Sequence, residues 1–192
     1  MTASDPSNGY EAIAAEFMQA RSDVGTDIVK AWAAELAPGA RVLDLGCGHG
    51  DPNMPLLLSA GLQVSAIDAS PSLLTALRAK FPGVETACEP AERSAFFGHR
   101  FEGVLAIGLV FLLPETTQRV LIRNVSEALR PGGRFLFSAP TQKGHWEDVL
   151  TKQRSQSLGE DGYRSILTEA GFDQIESQID QGQSHYYSAR KI

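Results

Sequence analysis

The chain is poor in cysteine, has no long apolar run and carries no surplus of positive charge. Its two cysteines among 192 residues, Cys47 and Cys88, have neither the spacing of a disulfide framework nor that of a thiolate metal site, so no metal is expected. No segment reaches the roughly 20 apolar residues that span a bilayer. The polar opening Met1-Thr2-Ala3-Ser4-Asp5-Pro6 lacks a signal-peptide pattern. No membrane partner and a cytoplasmic location are the resulting expectations. With 17 Lys and Arg against 23 Asp and Glu the net charge is −6, which argues against a surface that grips nucleic acid. There is no internal repeat or low-complexity linker, and 192 residues suit one domain (1–192) with its own core. A small molecule is the expected partner; the oligomeric state leaves no mark in the sequence.

The most informative stretch is Arg41-Val42-Leu43-Asp44-Leu45-Gly46-Cys47-Gly48-His49-Gly50. Its apolar start suits a strand covered on both faces, and its three glycines remove every Cβ that would hold a ligand away from the backbone. Asp51-Pro52 then reads as a helix N-cap with proline at the first helical position. The sixth position of a dinucleotide fingerprint is Asp51, so Gly-x-Gly-x-Gly describes the turn better than Gly-x-Gly-x-x-Gly. A second apolar strand begins at Leu62 and ends in Asp68, eighteen residues after Gly50. A carboxylate at that edge of a doubly wound sheet can accept hydrogen bonds from both hydroxyls of a ribose. The competing reading makes Asp68 a turn residue before the cap Ser70-Pro71.

Strand and helix signals alternate along the rest of the chain, as parallel strands joined by crossovers require. A helix is predicted near Pro71–Lys80, a strand at Val84–Ala87, a strand at Phe101–Ile107 and an amphipathic helix at Glu115–Leu129. Arg130-Pro131-Gly132-Gly133 should stop that helix before a strand at Arg134–Ser138. A helix at Tyr163–Ala170 and strands at Phe172–Ile179 and Ser184–Lys191 complete the pattern.

From about Val42 to Lys191 this pattern resembles the class I S-adenosylmethionine-dependent methyltransferases of the small-molecule type. The glycine turn matches their first motif, Asp68 their ribose acid, and Leu129 to Gly133 their Leu-x-Pro-Gly-Gly turn. The resemblance implies an α/β fold: a doubly wound, mostly parallel seven-stranded sheet with an antiparallel C-terminal hairpin and an N-terminal helical lid. It implies S-adenosyl-L-methionine as cofactor, with contacts at Asp44, Gly46, Cys47, Gly48, Asp68, Ala69 and Ile107. Cys47 reads as a small tolerated residue of the turn. The adenine end falls to the loop after the third strand: Pro90 has no N–H, so Ala91 is the donor, with Glu89 or Glu92 as the acid.

Two segments stand outside the alternation. The first is an N-terminal helical cap over residues 1–38, where Tyr10, Ile13, Ala14, Phe17 and Met18 form one stripe and Ile28, Val29, Trp32 and Leu36 another after Gly25. The resemblance implies a lid, with Tyr10 and Arg21 facing the cofactor, Phe17 the substrate, and Arg21 suited to a bidentate pair with the methionine carboxylate. Plain packing on the sheet is the alternative. The second is an acceptor-side insertion at 141–160, in which His145 and Trp146 wall an acceptor pocket, or Trp146 pins a capping helix to the core. Phe111 stands where many relatives carry histidine, and no Asp/Asn-Pro-Pro-Tyr/Phe motif follows the fourth strand, which disfavours base methylation.

The sulfonium of such a cofactor activates its own methyl group, so the protein's task is alignment. Amine or thiolate acceptors need no strong base; an oxygen acceptor would, and His145 or His185 are the candidates. The N, O or S identity of the nucleophile stays open. Alternative readings are a protein methyltransferase, a non-catalytic S-adenosylmethionine-binding sensor or scaffold, and an NAD-dependent oxidoreductase, which the glycine spacing and the late hairpin oppose.

Overall fold

A computed structural model describes residues 5–192; Met1–Ser4, part of the polar opening, lie outside it. The glycine turn leaves β1 (Arg41–Leu45), where Val42, Leu43 and Leu45 are fully buried, as a strand covered on both faces requires. Alternation continues through α3 (Asn53–Ser59), β2 (Gln63–Asp68), α4 (Pro71–Lys80), β3 (Glu85–Cys88), β4 (Phe101–Ala106), α5 (Glu115–Ala128) and β5 (Leu129–Ser138). After a small hairpin, β6 (Gly144–Glu147) and β7 (Arg154–Ser157), come α6 (Gly159–Glu169), β8 (Phe172–Ile179) and β9 (His185–Lys191). Ahead of β1 stand α1 (Ala14–Ala20) and α2 (Thr26–Ala34).

The main sheet has seven strands in the order β3-β2-β1-β4-β5-β9-β8. All neighbours are parallel except β9, which runs antiparallel to both β5 and β8. The winding reverses between β1 and β4, and such a switch point opens a crevice at the carboxyl ends of the strands. One face of the sheet buries Leu43, Leu45, Val104 and Phe137 against α5 and α6. The other buries Val42, Val64, Ala66 and Leu136 against α2, α3 and α4. The doubly wound fold expected from the alternation is the observed one.

Several local expectations are corrected. Asp51 does not cap α3: Pro52 occupies the cap position without a side-chain bond, and the Asp51 carboxylate binds Lys80 Nζ at 2.6 Å instead. The second cap candidate, Ser70-Pro71, does behave as read, since Ser70 Oγ accepts from the Leu73 N–H at 3.2 Å and Pro71 opens α4. The Arg130–Gly133 stretch is no free-standing turn, because pairing resumes at Leu129 opposite Phe101 and shifts register before Gly103 meets Arg134. The insertion at 141–160 carries a two-stranded hairpin in place of a capping helix.

The N-terminal cap divides into two unlike helices. Val29, Trp32 and Ala33 of α2 are buried in the sheet core, where Trp32 and Leu36 fill the space that a Cβ at Gly103 would need. In α1 only Ala14 is buried, and Ile13, Phe17 and Met18 remain half exposed. Core packing describes α2; α1 covers something else.

Candidate functional site

Gly46, Gly48 and Gly50 have φ of 67, 57 and 94°, the left-handed region that glycine alone enters without strain. The N–H groups of Gly46 and Cys47 donate to the Ile67 carbonyl at 2.8 and 3.1 Å and lash the turn to the end of β2. Asp68 completes the link: its Oδ2 accepts from Gly48 N at 2.8 Å and its Oδ1 from Ser70 N at 2.8 Å. The two readings of Asp68 are therefore compatible, because each carboxylate oxygen has a second lone pair to offer once it has fixed the turn. Burial raises the Asp68 pKa, while the N–H groups of Ser70, Gly48 and Ala69 work in the opposite direction.

One turn earlier, Asp44 is 2% exposed, and its Oδ2 has no hydrogen-bond partner among the described residues. Burial lifts its pKa to about 7; the Arg21 charge opposes the rise and Asp68 adds to it. Burial, with Asp44 and Asp68 adding to it, pushes the Cys47 thiol well above its ordinary value, so Cys47 is a neutral, inert group here.

A cleft of about 1100 Å³, its open mouth included, lies against this turn. Its floor contains Gly46, Cys47, Gly48, Asp68 and Ala69; one end is closed by Ala91 and Glu92, the other by Ile107 and Phe111. Ala91 opens a short 3-10 turn, so its N–H has no acceptor within that turn. Of the two candidate acids only Glu92 reaches the cleft; Glu89 instead donates its N–H to the Asp68 carbonyl at 3.1 Å. Asp44 is enclosed by protein and forms no part of the wall.

The segment around α1 roofs the cleft with Tyr10, Phe17 and Arg21. Phe17 packs edge-on against Tyr10, with centroids 5.2 Å apart, and lies so close to the turn that a Cβ on Gly48 would sit 3.2 Å from Phe17 Cε1. The Arg21 guanidinium stands 5.8 Å from the Phe17 centroid and its Nε donates to the Asp51 carbonyl at 3.4 Å. Glu11, which the sequence reading passed over, tethers the roof: its carboxylate accepts from Ser72 N at 3.0 Å, from Ser72 Oγ at 2.7 Å and from Ser70 Oγ at the start of α4. Partners 59 and 61 residues away leave no local trace in the sequence. The insertion meets the same roof, since Gly9 packs on Thr151 and Asp148 lies beside the Tyr10 hydroxyl. Burial first, then the Asp148 charge, push the Tyr10 pKa up to about 12.

His145 is exposed on β6 and lines no cleft, and Trp146 braces Phe111 from behind, with centroids 5.7 Å apart. A second cleft, of about 1220 Å³, adjoins the first and contains His185 together with Ser138, Asp180 and Tyr186. Arg21, Asn53, Ile107, Gly108 and Phe111 line both clefts and so form a throat between them. Asn53 and this second chamber were not anticipated; the chamber is assembled from the loop between α1 and α2, α2, α3, β5 and the β8–β9 turn, which only the folded sheet brings together.

A glycine turn, a strand-end acid and a crevice at the switch point define a Rossmann-like domain that holds a nucleoside-type ligand. Residues 42–133 match the family model of the methyltransferase domain. The chain is 27% identical over 157 residues to methyltransferase GfsG of Streptomyces halstedii, spanning 74% of this chain and 56% of that protein. It is 29% identical to sarcosine/dimethylglycine N-methyltransferase of Halorhodospira halochloris, spanning 82% of this chain and 61% of the other. The chain thus covers little more than half the length of these two curated relatives. Among solved structures it superposes on the glycopeptide N-methyltransferase MtfA with S-adenosyl-L-methionine at a TM-score of 0.71, with 21% identity, 88% of this chain and 94% of that one covered. The Burkholderia thailandensis 1,6-didemethyltoxoflavin-N1-methyltransferase gives 0.70 and 21% over 100% and 92% of the two chains. Residues 42–133 thus match a methyltransferase domain, and the chain resembles the class I S-adenosylmethionine-dependent methyltransferases in sequence and in fold.

Proposed function

We propose that this domain transfers a methyl group from S-adenosylmethionine to a small-molecule acceptor. The observation that carries this reading is the Asp68 carboxylate, fixed by Gly48 and Ser70 at the wall of an open cleft with lone pairs to spare for a ribose. When bound, the cofactor supplies an electrophilic methyl carbon on a sulfonium. The chain's own residues then have positioning tasks. Asp68 holds the sugar, the Ala91 N–H and the Glu92 carboxylate meet the base, and the glycine turn lets the ligand approach the backbone. Asp44, whose buried Oδ2 has no hydrogen-bond partner among the described residues, supplies negative potential near the turn that suits the amino end of the methionine portion. Arg21 reaches its carboxylate end. Tyr10 and Phe17 exclude water from above, and Ile107 and Phe111 form an apolar wall where the methyl must leave. Such alignment accounts for several kcal/mol of barrier reduction without a protein nucleophile.

Calorimetric titration of the purified protein with S-adenosylhomocysteine and with NAD tests the reading. S-adenosylhomocysteine should bind and NAD should not. Comparable affinity for NAD would return the domain to the oxidoreductase alternative, and methyl-labelled S-adenosylmethionine should pass its label to small molecules from the wild-type protein.

A further inference from the structure

Beside the cofactor cleft lies a chamber whose chemistry selects among acceptors. Asp180, in the turn between β8 and β9, is 8% exposed yet faces this chamber. Its Oδ1 accepts from Ser184 N at 2.8 Å and its Oδ2 from the Tyr186 hydroxyl at 2.9 Å. Two neutral donors orient the carboxylate without cancelling its charge, and no ion pair among the described residues involves Asp180. A buried carboxylate without a cation is costly, and a cationic ligand relieves that cost. At the throat, Asn53 is also 8% exposed and lines both clefts, and its side chain makes no hydrogen bond to a described residue, so its amide is available to a guest. Ser138 Oγ accepts from Gly108 N at 2.8 Å, which leaves its O–H to donate or turn toward the chamber. Phe111 and Tyr186 add aromatic surface of the kind that attracts ammonium groups.

We infer that this chamber is the acceptor site and that it takes amines, with Asp180 holding the ammonium form and Asn53 guiding the nitrogen into the throat. The inference rests on the methyltransferase reading above. Arg21 also lines this chamber, but on the reading above its charge is taken by the carboxylate of the cofactor, so phenolates, thiolates and carboxylates would meet the uncompensated Asp180 charge and be disfavoured. In the transfer itself the bound ammonium first loses one proton, with the His185 imidazole in the same chamber suited to pass it to water. The freed nitrogen lone pair then forms the N–C bond while the S–C bond breaks with its electron pair on sulfur. The products are the methylated ammonium, S-adenosylhomocysteine and the one released proton.

The test uses the full chain with methyl-labelled S-adenosylmethionine and a panel of primary and secondary amines (amino-acid amides, amino sugars, arylalkylamines) beside hydroxyl, thiol and carboxylate analogues of matched shape. Label should appear on amines alone. Asp180→Asn should lower kcat/KM for the best amine roughly 10- to 100-fold, the scale of one lost charge-assisted hydrogen bond, mostly through KM. Its affinity for S-adenosylhomocysteine should stay within about twofold. Label on carboxylates, phenols or thiols but on no amine overturns the inference, as does an Asp180→Asn protein with unchanged amine kinetics. If Asp180→Asn fails to fold, the wild-type panel decides alone. Loss of S-adenosylhomocysteine binding by the wild-type protein sinks the underlying reading instead, which separates the two failures.

Discussion

Replacing Asp44 by asparagine should stabilise the ligand-free protein above neutral pH and do little below pH 4. In the unfolded chain this carboxyl titrates near its ordinary 3.8, whereas in the folded protein burial holds it at about 7. Below pH 4 both states carry the proton and the group contributes no penalty. Between these values the native state keeps a proton that the unfolded state has released, so stability falls as pH rises. Above pH 7 both forms are ionised and the whole penalty is present. The separation of about three units corresponds to roughly 4 kcal/mol as an upper bound. Asparagine keeps the shape and removes the charge, so the difference in unfolding free energy between variant and wild type should grow by up to that amount from pH 4 to pH 8. For a domain of this size each kcal/mol moves Tm by roughly 2–4 °C, which places the full effect near 10 °C. Thermal unfolding of both proteins across that range, without cofactor, is the assay. Because Asp68 and His49 titrate in both proteins, the difference isolates Asp44. Parallel profiles with a constant offset would show that Asp44 is not held in a charge-hostile site.

Asp68→Ala should weaken S-adenosylhomocysteine binding by roughly 1.5–3 kcal/mol, the usual scale for hydrogen bonds to a charged group, and an unchanged calorimetric affinity in a folded variant would exclude Asp68 as the ribose ligand. Gly48→Ala must place an L side chain at φ 57° and a Cβ 3.2 Å from Phe17, so about 1–2 kcal/mol of strain should appear as lost stability or as a displaced roof; thermal unfolding and cofactor titration together should register one or the other. Gly25→Ala would drive a Cβ into the Tyr186 hydroxyl and against Asp180, at φ +85°, so thermal stability should fall and the β8–β9 turn should shift; a wild-type Tm would mean that this contact is loose. In hydrogen exchange, amides of residues 10–21 should exchange quickly in the free protein and slowly with S-adenosylhomocysteine; protection that ignores the ligand would remove the lid.

The central sheet was readable because its signals are local. Val42, Leu43 and Leu45 announce a strand covered on both faces, and the glycines that follow have the positive φ that a ligand turn needs. Where sequence reasoning went astray, a distant partner outcompeted a local preference. Asp51 has the chemistry of a helix cap, but Lys80, 29 residues away, takes its carboxylate. Glu89 and Glu92 look alike in sequence, and the 3-10 turn at Ala91 decides which one reaches the cleft. His145 and Trp146 lie on a hairpin whose alternation sends His145 to solvent and Trp146 onto Phe111, and the wall of the second cleft is formed by the β8–β9 turn instead. Asp180 and Tyr186 gave no motif, since their meaning comes from a fold that sets them beside α2 and the end of β5.

The roof over the cleft is held in a way that suits opening. Among the described residues α1 contributes no member to either apolar core, and the roof is attached by the Glu11 bonds to Ser70 and Ser72, the Arg21 bond to Asp51, the edge of Phe17 on His49 and the contacts of Gly9 and Tyr10 with the hairpin. Exposed polar contacts of this kind are weakened by solvent competition. The sheet beneath is fixed by wholly buried strands and by α2, so the roof can separate without cost to the core. On the proposed reading closure draws on the ligand, which would supply an apolar face for Phe17 and Tyr10 and an anionic group for Arg21. The hairpin strengthens this coupling, because Asp148 and Thr151 meet Tyr10 and Gly9 from the acceptor side. Movement of the roof should thus be felt on both sides of the throat, and a cofactor that closes the first chamber would complete the wall of the second through Arg21, which lines both.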